Sequence, residues 1–122
     1  MMLIVYWVAL CLGTHLPDRM AVAVTPPVSD KLLHLAAYAG LGFLLALLAA
    51  RLGWRGWRTY AAALLILGVY ATLDELAQIP VPGRRAELAD WVADLLGVAT
   101  GLGLHWLAVS VAALCGRGRA EK

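Results

Sequence analysis

The stretch DELAQIPVPGRRAELADWVADLLGVATG, from Asp74 to Gly101, places five carboxylates, two arginines and a glutamine between segments that are otherwise almost wholly apolar. A charged group at membrane depth is costly and is rarely kept without a partner or a function. Pro80 and Pro82 end one helix and turn the chain, and the short link to Asp90 predicts an antiparallel helix pair. We therefore expect this stretch to form one wall of a polar site at a single membrane face.

The composition of the 122-residue chain is typical of a membrane protein. Hydrophobic residues make up 62% of it and the mean hydropathy is +0.78, which is more apolar than a soluble domain of this length. Its two cysteines, Cys11 and Cys115, lie in different apolar segments and are too few for a secreted disulfide scaffold. The formal charge of +2 gives little support to a nucleic-acid partner, and we predict none.

Four apolar segments predict an all-α, integral membrane bundle of four transmembrane helices in a single domain. A helix needs about 20 apolar residues to cross a hydrocarbon core of about 30 Å. The predicted helices cover about residues 1–16, 31–50, 58–79 and 89–115. The first is short for a span and has a signal peptide as its alternative; the lack of Lys or Arg before its apolar run favours a retained helix.

The positions of the basic residues predict the orientation of these helices. Three arginines, Arg51, Arg55 and Arg58, lie between the second and third helices, and the C-terminal tail adds three basic residues. The positive-inside rule assigns both regions, and hence both termini, to the cytoplasm. All the acids except Glu121 then fall at the outer face. Because acids contribute little to orientation, this clustering needs its own explanation.

Polar residues recur at helical spacing near the outer end of the second helix. Asp30, His34 and Tyr38 are four residues apart and therefore share one face. Asp30 alone also suits a helix N-cap, and Tyr38 alone suits a core position. The alignment of His34 with both favours a polar wall over a packing histidine. The other histidines, His15 and His105, are predicted to lie outside this cluster.

The third and fourth helices supply the facing polar groups. Two carboxylates and an amide lie within about one turn of the third helix, and two carboxylates share a face of the fourth with two glycines that permit close helix approach. These residues are Asp74, Glu75 and Gln78, then Asp90, Asp94, Gly97 and Gly101. Asp74 lies about 24 Å along its helix from Arg58, near the outer boundary of the hydrocarbon core. The alternative is an ion-pair network with Arg84 and Arg85 that only fixes helix packing.

Three segments of the chain carry an ordered set of motifs. They are DKLLHLAAYAGLG (30–42), DELAQ (74–78) and PGRRAELADWVADLLGVATG (82–101). In this order and spacing they resemble the VanZ-like family, small bacterial integral membrane proteins named after a factor that confers teicoplanin resistance. The family pattern is Asp-Lys-x-x-His-x-x-x-Tyr, Glu-x-x-Gln, Pro-Gly-Arg, and Asp-x-x-x-Asn followed by Gly-x-x-x-Gly. Asp94 departs from it, because an acid in place of asparagine adds a charge and removes a donor.

The resemblance implies a setting in the bacterial cytoplasmic membrane and a site, rather than a defined reaction. The residues that match the family motifs are Asp30, Lys31, His34, Tyr38, Glu75, Gln78, Arg84, Asp90, Gly97 and Gly101. The antibiotic link of the family is to the accumulation or binding of a lipopeptide-like drug at the cell envelope. We therefore expect a membrane lipid or a lipid-linked envelope precursor as the partner.

One functional hypothesis is an envelope enzyme that acts on a lipid-linked, phosphorylated or glycosylated substrate. Arg84 and Lys31 would hold an anionic head group, and His34, oriented by Asp30, would act as a general base or acid. The cluster contains no Ser or Cys nucleophile, which argues against acyl-enzyme chemistry. The candidate catalytic residues are His34, Glu75 and Asp90, and the candidate ligand-binding residues are Asp30, Lys31, Tyr38, Asp74, Gln78, Arg84 and Asp94.

The other hypotheses need no reaction. The same pocket could bind a lipid or glycolipid head group without transforming it, or the polar cluster could be purely structural. Ion conduction is disfavoured because the inner halves of the helices are almost wholly apolar. A divalent cation is the one cofactor that the cluster suggests, since Glu75 with Asp90 or Asp94 could either share a proton or bind the cation through oxygen ligands.

Overall fold

The computed structural model describes residues 1–15, 29–81 and 86–120 of the chain, with side chains up to residue 116. These residues form four α-helices. The helices are α1 (Met2–Thr14), α2 (Asp30–Arg51), α3 (Trp57–Gln78) and α4 (Leu88–Ala120). These described ranges contain no strand. The prediction of an all-α fold is confirmed, and α4 extends past its predicted end at residue 115.

The helices begin and end where the sequence favours a break. Ser29 occupies the N-cap position of α2. Between α2 and α3, Gly53 and Gly56 have φ angles of 82° and 93°, which glycine adopts without the steric cost that a side chain would add. Pro80 follows the end of α3 closely, because its ring cannot continue a helix.

Three of the helices are long and apolar enough to cross a membrane: α2, α3 and residues 88–116 of α4. The 22 residues of α2 extend about 33 Å, slightly more than the hydrocarbon thickness of a bilayer. With 13 residues, α1 is shorter than a full span. The fourth transmembrane span and the single domain stay predictions.

The side chains are distributed as expected for a bundle surrounded by lipid. Large apolar side chains face outward, and Leu65, Ile66 and Leu104 are 70%, 60% and 54% exposed. Among the described residues, eight polar or ionisable side chains are buried instead: His34, Tyr38, Asp74, Glu75, Gln78, Asp90, Asp94 and His105. An apolar exterior around buried ionisable groups is the arrangement that a membrane imposes.

Two glycines of α4 allow it to lie directly against the backbone of α2. A Cβ atom on Gly97 would collide with the carbonyl oxygen of Leu35, and one on Gly101 would collide with that of Ala39. A Cβ atom on Gly103 would meet no described atom within 4 Å. The predicted small-residue surface at Gly97 and Gly101 is confirmed, and its partner is α2.

Contacts between α3 and α4 show that these two helices are antiparallel. The backbone N–H of Glu87 donates to Oε2 of Glu75 at 3.1 Å, and Nε1 of Trp91 donates to Oγ1 of Thr72 at 3.0 Å. The short connection 52–56 also makes α2 antiparallel to α3. The first turns of α2 and α4 therefore meet the last turn of α3 at one end of the bundle.

Candidate functional site

Seven predicted site residues are buried together where α2, α3 and α4 meet, and we call this set the polar cluster. None is more than 5% exposed. The members are His34 and Tyr38 from α2, Asp74, Glu75 and Gln78 from α3, and Asp90 and Asp94 from α4. Helical spacing explains this convergence, because each helix presents its polar residues on one face within one or two turns of the same end.

The imidazole of His34 lies between two carboxylates. Its Nδ1 atom is 2.9 Å from Oδ1 of Asp94 and 4.0 Å from Oε1 of Glu75. An ionised carboxylate only accepts hydrogen bonds, so an ionised Asp94 requires the proton on Nδ1. One side chain thereby links α2 to both α3 and α4.

Asp74 is held by side chains from two other helices. The hydroxyl of Tyr38 donates to Oδ2 at 3.2 Å, and the hydroxyl of Thr14, at the end of α1, donates to Oδ1 at 3.4 Å. Nδ1 of His15 lies 3.8 Å from the same Oδ1 atom. His15 is not one of the seven buried residues, but the prediction that it lies apart from them is wrong, because α1 ends at the level of Asp74.

The polar cluster has a charged rim, which consists of Lys31 and the two carboxylates that it contacts. The Nζ atom of Lys31 donates to Oε2 of Glu87 and to Oδ1 of Asp90, both at 3.1 Å. The side chain of Lys31 is 50% exposed, whereas that of Asp90 is 7% exposed, so this pair bridges the surface and the interior. Lys31 is predicted to bind an anionic head group. Such a group would compete with these two carboxylates for the ammonium group of Lys31.

Of two further predicted ligand-binding residues, the structure describes only one. Asp30 is exposed at the start of α2, and one of its carboxylate oxygens lies within 4.8 Å of potential ligand atoms on His34 and Asp90. Arg84 falls outside the described residues, and so does Arg85. The alternative of an ion-pair network that only fixes helix packing depends on these two arginines, so it also lies outside the described residues.

Three buried polar atoms of the cluster have no hydrogen-bond partner among the described residues. They are Oε1 of Glu75, Oδ2 of Asp94 and Nε2 of Gln78. Leaving such an atom unpaired costs about 1–3 kcal/mol, so buried polar atoms are nearly always satisfied. Two acceptors and one donor are thus available to a bound polar group.

Two groups of side chains in the described ranges have ligand atoms close enough to hold a metal ion. One is Asp30, His34 and Asp90, and the other is His34, Glu75 and Asp94. Within each group the ligand atoms lie within 4.8 Å of one another. The second group is fully buried, whereas the first includes the exposed Asp30.

A cleft of about 350 Å³ lies beside Glu75, between α3 and α4. Its walls are mostly apolar and include Leu76, Leu88 and Trp91. Leu76 and Leu88 are 54% and 76% exposed, so the cleft opens on the outer surface of the bundle. It connects an apolar surface with one of the buried carboxylates.

The opposite end of the bundle contains the remaining histidine. Nδ1 of His105 lies 3.0 Å from the hydroxyl of Tyr60, and the imidazole packs edge-on against Phe43. A cleft of about 620 Å³ adjoins it, with Trp54 and Arg55 among its lining residues. His105 lies outside the polar cluster, as predicted.

A comparison with known protein families identifies the family of the chain. The family model described as VanZ/LLP1 matches residues 3–109, a range that includes the whole polar cluster. Neither a curated protein nor a solved structure matches the chain.

Proposed function

The chain belongs to the VanZ/LLP1 family of membrane proteins, and from this premise we propose that its polar cluster binds a lipid-linked ligand of the cell envelope. One observation carries this proposal: buried atoms of Glu75, Gln78 and Asp94 that have no hydrogen-bond partner among the described residues lie at one end of a largely apolar bundle. Ionisable residues in membrane helices are kept mainly where they serve a function.

The ligand would have an apolar chain and a polar head. Leu76, Leu88 and Trp91 give the cleft an apolar wall that suits an acyl or prenyl chain. Glu75 lines the same cleft and belongs to the polar cluster, so a head group would reach the cluster while its apolar chain lies in the cleft. An apolar pocket with a few converging polar groups is the usual form of a small-molecule site.

We further propose that the cluster faces away from the cytoplasm in a bacterial inner membrane. The basic connection that contains Arg51, Arg55 and Arg58 lies at the other end of α2 and α3. The positive-inside rule favours a cytoplasmic position for that connection. The ligand would then approach from the outer leaflet, and both termini would be cytoplasmic if α1 also spans the membrane.

A second candidate function is catalysis on the same ligand. It is favoured by the contact between Nδ1 of His34 and Asp94, because a carboxylate at one ring nitrogen orients the imidazole and leaves Nε2 available for proton transfer. His34 would then be the general base or acid, with Glu75 and Asp90 as supporting acids.

Lipid analysis of the purified protein tests the binding proposal. We expect one lipid class to co-purify with the wild-type protein in mild detergent and to be lost in Glu75→Gln and Asp94→Asn. The matched control is His105→Gln, which changes a buried histidine at the other end and should retain the lipid. Identical lipid profiles in all four proteins would contradict the proposal.

Turnover separates the two candidate functions. If the protein is an enzyme, prolonged incubation converts the retained lipid, and His34→Asn stops conversion while keeping the lipid bound. If it is a binding protein, the lipid is recovered unchanged from the wild type.

A further inference from the structure

We propose that His34, Glu75 and Asp94 form a binding site for a divalent metal cation at the centre of the polar cluster. The three side chains come from three different helices, and their ligand atoms lie within 4.8 Å of one another. They are 5%, 5% and 0% exposed, so the site is enclosed by the bundle. This inference deepens the proposed function and rests on it only for the role of the cation in ligand binding.

The charge of the cluster calls for a cation. Glu75 and Asp94 place two carboxylates beside one imidazole, and buried charges are stable only when they are paired or coordinate a metal. A protonated His34 would balance only one of them, and the ammonium group of Lys31 already contacts Glu87 and Asp90 at the rim. A divalent cation would neutralise both carboxylates in place.

The unpaired atoms supply the second observation. Oε2 of Glu75 accepts the backbone N–H of Glu87, which leaves Oε1 without a hydrogen-bond partner among the described residues. Oδ2 of Asp94 likewise lacks one, although the residue is fully buried. A neutral His34 that binds the cation through Nδ1 would carry its proton on Nε2, and Asp94 would then meet the metal instead of a proton.

The ligand set indicates the kind of metal. One imidazole nitrogen and two carboxylates suit Mn²⁺ or Zn²⁺ better than Ca²⁺, which takes six to eight oxygen ligands. Three protein ligands leave coordination positions open for water or for an oxygen of a bound head group. The amide nitrogen of Gln78, one turn from Glu75 on α3, has no partner in the described part of the chain and would donate to that oxygen. The cation would thus make an acidic cluster able to bind an anionic head group.

Metal binding by purified, delipidated full-length protein tests the inference. After treatment with a chelator, the protein is titrated with Mn²⁺, and free Mn²⁺ is followed by its electron paramagnetic resonance signal; Zn²⁺ is then added as a competitor. We expect one Mn²⁺ per chain, displaced by Zn²⁺. Glu75→Gln and Asp94→Asn should each lower the affinity at least about tenfold, since even changes outside the ligand sphere cost 10–100-fold.

His105→Gln is the matched control and should bind Mn²⁺ like the wild type. Absence of stoichiometric binding of either ion to the wild type would overturn the inference. It would also be overturned if both carboxylate variants bound Mn²⁺ with the affinity of the wild type. Each variant is first checked for folding by circular dichroism and gel filtration, and if either misfolds, the wild-type stoichiometry and the other variant decide. Because no lipid is present, this result is independent of the lipid profiles that test the proposed function.

Discussion

Nδ1 of His34 and Oδ1 of Asp94 lie 2.9 Å apart, although the two residues are separated by 60 positions in the sequence. This contact joins α2 to α4 at a point where both side chains are buried. The resemblance to the VanZ-like family implies that asparagine is usual at this position, and an asparagine oxygen could accept the same hydrogen bond. The aspartate therefore adds negative charge without being needed as the acceptor.

Replacement of Asp94 should separate its role as a hydrogen-bond acceptor from the effect of its negative charge. In metal-free protein, Asp94→Asn should keep the thermal unfolding temperature close to that of the wild type, because the acceptor for His34 remains. Asp94→Ala should destabilise the protein by about 1–3 kcal/mol, since the imidazole N–H is left unpaired. Unfolding in detergent with chelator present measures both, and equal losses in the two variants would contradict the assignment.

Close packing of α2 against α4 predicts opposite effects for two neighbouring glycines. Gly101→Ala places a Cβ atom against the carbonyl oxygen of Ala39 and should destabilise the protein by about 1–3 kcal/mol. Gly103→Ala meets no described neighbour and should be neutral or stabilising, because alanine favours a helix over glycine by about 1 kcal/mol. Thermal unfolding of the two variants decides, and equal tolerance of both changes would count against this interface.

The rim predicts a pairwise dependence between Lys31 and Asp90. Lys31→Met should lower the unfolding temperature, because it removes the ammonium group from a mostly buried carboxylate. Asp90→Asn introduced together with Lys31→Met should restore part of the loss. The contact of Lys31 with Glu87 is half-exposed and should contribute little, so Glu87→Gln serves as the control. Strict additivity of the two changes would exclude the proposed coupling.

The cleft beside Glu75 predicts where an apolar chain binds. Leu76→Trp adds bulk to the cleft wall and should reduce the amount of co-purified lipid severalfold. Leu65→Trp makes the same change on α3 at an exposed position that does not line this cleft, and it should leave the lipid content unchanged. Quantitative mass spectrometry of retained lipid compares the two. Equal retention would mean that the chain does not occupy the cleft.

Much of the fold follows from regular features of the sequence. The four-residue spacing of His34 and Tyr38 predicts a common face on α2, and the structure buries both side chains on it. The glycines at positions 97 and 101 predict a close helix contact, because only a missing Cβ permits it. The family resemblance is likewise confirmed by the match over residues 3–109.

Contacts between helices are less accessible to sequence reasoning. Spacing along α2 shows which face His34 occupies but not which carboxylate from another helix meets it, and Asp94 is its hydrogen-bond partner. Thr14 and His15 reach Asp74 because α1 ends at that level, which depends on how α1 packs rather than on any motif. The one sequence feature that points to these contacts is the pair of polar residues, Thr14 and His15, at the end of an apolar helix.

A double-mutant cycle between His34 and Asp94 tests most directly whether separate helices meet in one polar cluster. Reversible unfolding is measured for the wild type, His34→Ala, Asp94→Ala and the double variant, with His105→Ala and Asp94→Ala as the reference pair. We predict a coupling free energy of at least about 0.5 kcal/mol for the first pair and additivity for the reference pair. Additive effects of His34→Ala and Asp94→Ala, no larger in coupling than the reference, would contradict the polar cluster and the binding site proposed on it.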